Sequence, residues 1–175
     1  IAFTARVPEK GRYGSVEGLD AAAEAPRRIT GIRWHANGLG YLADRPSHLF
    51  VVAVPATASE PFYEPAAAVR AEGEEPPKKR IVATEARQLT EGSASHEGVV
   101  FVGDEILTTV DEIESDRRDL RTRVVAISAG GSGEREVVGP DAGLSLYGLE
   151  ALPDGTIALL AHEVGDDGVD FIAPG

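Results

Sequence analysis

The chain has 175 residues, enough for one domain with a real core and too few for two comfortable ones. Its 17 basic and 29 acidic side chains give a formal charge of −12, a surface that repels phosphate backbones and anionic lipid, so nucleic acid and membranes are poor partners. No run approaches the ~20 consecutive apolar residues of a spanning helix. With no cysteine there is neither a disulfide framework nor a thiolate metal site, which suits a reducing, cytoplasmic setting.

The chain opens on Ile1-Ala2-Phe3-Thr4-Ala5-Arg6, without an initiator methionine, a basic leader or a hydrophobic signal core, and reads as truncated. From Arg6 to Pro26 an irregular connection is expected, with at most a short helix at Ala21 to Ala25. Strand signals follow. Asn37-Gly38 separates Ile29 to Trp34 from Leu39 to Leu42, a hairpin with turn chemistry that favours positive φ. Leu49 to Val54 supplies a further strand. The stretch from Pro55 to Lys79, dominated by Ala, Glu and Pro, predicts a mobile loop, because it cannot bury enough apolar surface to offset its ordering entropy.

The pattern then resumes. Gly98 to Val102 and Glu105 to Val110 flank Gly103-Asp104, Val124 to Ser128 follows, and Asp154-Gly155 separates Leu146 to Leu152 from Thr156 to Ala161. An arginine-led segment precedes each hairpin: Arg28-Ile29-Thr30, Arg87 to Thr90 and Arg135 to Val138. Helical periodicity is scarce, so the class is all-β. Units of roughly four short antiparallel strands, repeated about every 50 residues, predict a single domain over residues 1–175. The expected architecture is a partial β-propeller of about three antiparallel four-stranded blades.

Four pieces resemble the N-terminal β-propeller of the prolyl oligopeptidase family of serine peptidases, in its dipeptidyl aminopeptidase and acylaminoacyl peptidase branch. They are IAFTAR at Ile1, RRITGIRWHANGLGYLADRPSHLFVVAV from Arg27, RQLTEGSASHEG from Arg87 and LPDGTIALLA from Leu152. The middle hairpin, FVGDEILTT, departs from the family's P-D-G turn, and the last unit lacks a clear terminal strand. The resemblance implies a non-catalytic segment that gates access of short peptides to a separate α/β-hydrolase domain of the parent chain. The alternative is a stand-alone propeller-like module that binds a protein or peptide along its loops.

No catalytic, cofactor-binding or metal-binding residue is assigned. The nearest approach to a G-x-S-x-G nucleophile elbow is Gly130, Ser132 and Glu134, where the last position breaks the motif, and a flexible hairpin loop is the better reading. His35, His48, His96 and His162 show no ligand spacing and are expected in structural roles, with His96 placed to bond a neighbouring blade. Asp111, Glu112, Glu114, Asp116 and Asp119 crowd beside Arg117, Arg118, Arg121 and Arg123 without a glycine pivot, and read as a solvated loop. Gly165 to Asp170 reads as a turn, Lys78-Lys79-Arg80 as a loop exit, and Trp34 and Tyr41 as blade packing. About three blades leave open edges, so association of copies is expected.

Overall fold

The computed structural model describes residues 1–54, 85–112, 119–131 and 133–172. Its strands, in chain order, are β1 (Ala2–Arg6), β2 (His35–Ala36), β3 (Gly40–Tyr41), β4 (Ser47–Val51), β5 (Arg87–Gln88) and β6 (Ser95–Val102). They continue with β7 (Glu105–Asp111), β8 (Arg123–Ser128), β9 (Glu134–Val138), β10 (Leu144–Ala151) and β11 (Ile157–Glu163). Among the described residues every pairing is antiparallel, and helix is confined to two single 3-10 turns, at Ala21–Ala23 and Pro140–Ala142. The fold is therefore all-β, and no helix among the described residues is long and apolar enough to cross a membrane.

The centre is a four-stranded meander, β6-β7-β8-β9. Its strands form because β-branched residues alternate with the pleat, and its first reversal forms because Gly103 takes φ +60°, which a side chain resists. Both of its faces are covered. Ile106, Val110, Val125 and Ile127 point to one side and join Leu49 of β4, with Ala2 and Val51 packed against them. Leu107, Val124 and Ala126 point to the other side and join Leu146 of β10, with Leu149, Ile157 and Leu159 behind. A strand that is apolar on both faces reads as a continuous hydrophobic run, as Val124 to Ile127 does.

The flanking layers are smaller. One is the sheet β1-β4-β5, in which Ala2 pairs with Val51 and Arg6 with Ser47, and the Ile1 amino group donates to Val52 O at 2.9 Å. The other is the hairpin β10-β11, closed at Asp154-Gly155, where Asp154 Oδ1 accepts from the Thr156 N–H at 2.9 Å. That hydrogen bond also holds the Asp154 carboxyl below its ordinary value.

Several expectations need correction. Of the expected four-stranded units only the central sheet has four strands; its neighbours have three and two among the described residues. The Asn37-Gly38 hairpin is confined to β2 and β3: the chain bends at Gly31-Ile32, and Ile29 to Ile32 pair with no strand among the described residues. Arg28-Ile29-Thr30 is accordingly not a strand, whereas Arg87-Gln88 is β5 and Arg135 to Val138 lies within β9. The mobile loop expected at 55–79 lies outside the described residues. Leu146 to Leu152 and Thr156 to Ala161 match β10 and β11 to within two residues.

Candidate functional site

Between β1 and β4 the chain makes a long excursion, and a charged cluster ties it down. Arg27 Nε donates to Asp44 Oδ2 at 2.6 Å and Arg27 also reaches Glu24 Oε2 at 3.3 Å. The Asp44 carboxylate raises the Arg27 pKa above its ordinary value. Arg12 lies 3.8 Å from Glu24 and 3.9 Å from Asp44, and donates to the carbonyls of Ala25 and Pro26. Arg27 lies over the Tyr41 ring at 4.2 Å, and Arg45 over the Tyr13 ring at 4.3 Å, where cation and quadrupole attract. Tyr13 is held at φ +50°, left-handed for a bulky residue, by bonds from its N–H to Glu24 and from its hydroxyl to Asp44.

This scaffold walls a cleft of about 270 Å³. Arg28, Ile29, Thr30 and Gly31 form part of its lining, with Trp34 and Tyr41 opposite in kind as aromatic surface and Glu9 as a carboxylate. Trp34 and Tyr41 pack at 5.7 Å between centroids, as expected for structural aromatics. Trp34 nevertheless keeps 40% of its surface exposed and Ile29 keeps 48%, so apolar area remains to be covered. Arg12 and Arg27 are neutralised by Glu24 and Asp44, whereas Arg28 and Glu9 have no ion-pair partner among the described residues. The surrounding chain is unusual in sign: residues 1–54 hold seven basic and five acidic side chains in a protein of charge −12.

The strip Arg28 to Ile32 is fixed at both ends. Arg27 is held by Asp44, and Arg33 grips Asp111 of β7 through both guanidinium NH groups, at 2.9 and 2.5 Å. Between these anchors no backbone N–H or carbonyl of residues 28–32 bonds to another described residue.

The other candidates fall elsewhere. His48 and His96 lie together between β4 and β6, their ring centroids 6.3 Å apart and each buried to 3% exposure. The Leu49 N–H donates to Thr90 Oγ1 at 3.0 Å, leaving that hydroxyl to donate to His48 Nδ1 at 3.3 Å. Buried His96 Nδ1 has no partner among the described residues, so among them this ring touches the neighbouring sheet without the expected hydrogen bond. Burial lowers the pKa of both rings, His96 to about 4, with the His48 and Arg123 charges adding to the effect. His35 packs on Trp34 and Tyr41, and His162 lies between Tyr147 and Phe171.

Of the acidic loop, Glu112 pairs with Arg123 and Asp119 with Arg121, while Glu114, Asp116, Arg117 and Arg118 lie outside the described residues. Ser132 and Lys78 to Arg80 also lie outside them. Gly165 to Asp170 is a turn, in which Gly165 N–H donates to Asp170 O and Gly168 N–H to Gly165 O. Among the described residues no group of three or more His, Asp or Glu is arranged to hold a metal ion.

The cleft was missed in the sequence because its lining reads as strand. The available signal is the Arg27-Arg28 pair upstream of Trp34 and Tyr41. Comparison with protein-family models, with curated proteins and with solved structures finds no match to this chain.

Proposed function

We propose that this chain is a non-catalytic segment of a β-propeller, gating the access of short peptides to a separate α/β-hydrolase domain of a cytoplasmic serine peptidase. The observation that supports it is the stacking order: a four-stranded antiparallel meander packed through its opposite faces against the sheets that precede and follow it in sequence. Consecutive blades of a propeller stack in that way, whereas a two-sheet sandwich covers only one face of each sheet. In this role the segment excludes large substrates and docks small ones, and bond cleavage belongs to the serine, histidine and aspartate of its neighbour.

The test uses the parent polypeptide that carries this segment. A serine-directed fluorophosphonate is expected to label it outside residues 1–175, and loosening the segment with Leu49→Ala is expected to let longer peptides be cleaved. Absence of labelling in any polypeptide that contains the segment would overturn the reading. A second reading, a peptide-binding module without a hydrolase, is favoured by the exposed aromatic cleft itself, and it prevails if labelling fails while peptides still bind.

A further inference from the structure

The strip Arg28-Ile29-Thr30 has the composition of a β-strand and has no partner strand among the described residues. β-Branched residues beside an aromatic pair ordinarily pair into a sheet, and a local preference left unmet in an otherwise consistent fold marks a place where something else completes the structure. Here the strip is pinned between the Arg27–Asp44 and Arg33–Asp111 ion pairs, its backbone groups bond to no described residue, and it borders a cleft with exposed Ile29 and Trp34. Anchoring at both ends means that little chain entropy remains to be lost when the strip is paired.

We propose that the cleft binds a short peptide as an added strand along Arg28 to Thr30, with one carboxylate of the peptide on the Arg28 guanidinium and an apolar side chain against Trp34 and Tyr41. This assignment rests on the peptide-gating reading and names the ligand class for it. Main-chain pairing supplies affinity without regard to sequence, and alternate side chains supply selectivity. Arg28 is the lining cation that no acidic side chain among the described residues neutralises, and a planar guanidinium takes a carboxylate through two parallel bonds. Glu9, the other lining charge without an ion-pair partner among the described residues, repels a ligand with several negative charges, so an oligonucleotide does not fit. The bend at Gly31-Ile32 ends the pairing edge and limits the bound stretch to about three residues.

Trp34 is the sole tryptophan of the chain, so fluorescence excited selectively at tryptophan, to the red of the four tyrosines, reports on this cleft. The probes are three acetylated tripeptides: Ac-Val-Thr-Val with a free C-terminus, Ac-Val-Glu-Val amide, and Ac-Val-Thr-Val amide. Saturable change is expected with either or both of the first two, and whichever binds identifies the source of the carboxylate. The carboxylate-free amide is expected to bind at least tenfold more weakly. In the peptide that binds, N-methylation of the central amide is expected to cost a further tenfold or so with the protein unchanged, because it removes a strand hydrogen bond. Arg28→Glu, at an exposed position, is expected to erase the preference for the carboxylate. No saturation with any probe, or binding indifferent to both N-methylation and Arg28→Glu, overturns the proposal. The titration involves no hydrolysis, so its failure leaves the fluorophosphonate test of the gating role intact, and failure of that test leaves this one readable.

Discussion

Acidification provides the sharpest test of the packing between the β1-β4-β5 sheet and the central sheet. His96 is 3% exposed, its Nδ1 lacks a partner among the described residues, and its pKa falls from the ordinary 6.5 to about 4. The native state thus binds the proton more weakly than the unfolded chain, which takes it up near pH 6.5. Stability is therefore full above about pH 7, declines as pH falls from 6.5 toward 4, and levels off below. A shift of this size corresponds to about 3 kcal/mol in total, of which about 2 kcal/mol is lost by pH 5, before most carboxylates titrate. The lowered pKa of His48 acts in the same direction. Urea unfolding followed by far-ultraviolet circular dichroism at pH 7.5 and pH 5 measures the loss. His96→Gln removes the titrating ring, so its pH 7.5 to pH 5 loss is expected to be smaller by about 2 kcal/mol. Equal losses in the two proteins would refute a buried, neutral His96.

Other substitutions probe other joints of the fold. Leu49→Ala, at a fully buried side chain facing the central sheet, is expected to cost about 2–5 kcal/mol in chemical denaturation. Thr108→Val removes the hydroxyl that donates to Glu97 O at 2.9 Å, beside the bulge in β6, and is expected to cost about 1 kcal/mol with strand content unchanged. Gly155→Ala meets no atom but must hold φ +85°, so a melting-temperature decrease equivalent to about 1 kcal/mol is expected; no change would refute the turn geometry. Arg33→Ala breaks a partly buried ion pair worth about 1 kcal/mol, yet it releases one anchor of the cleft strip, so tripeptide affinity is expected to drop more than stability does.

The central and final hairpins were legible because two independent signals coincide there. Gly103 and Gly155 sit where the chain must take positive φ, and the runs beside them carry residues for packed faces. Val124 to Ile127 announces a strand covered on both sides, since an uninterrupted apolar run suits no half-exposed sheet. Ile29 to Trp34 reads as strand because β-propensity describes a fit to a pleated surface, and nothing in the sequence shows that no described strand lies beside it to form that surface. The cleft was hidden with it. Its ion pairs join Arg27 to Asp44 and Arg33 to Asp111, and partners separated so far along the chain leave no local periodicity. The burial of His96 beside His48 was equally silent, because the two rings come from different sheets.

The outer side of the β10-β11 hairpin carries Tyr147 at 63% and Leu160 at 61% exposure, with Phe171 and Ile172 half uncovered nearby, and no lysine or arginine follows Arg135 in the chain. Such a surface is kept dispersed in water by mutual repulsion between molecules rather than by its own wettability. That protection vanishes near the isoelectric point of about 4.7 and is muted by salt. Colloidal behaviour is thereby tied to the same pH interval, from 6.5 toward about 4, over which the burial of His96 costs stability, so clouding on acidification would begin at this hairpin.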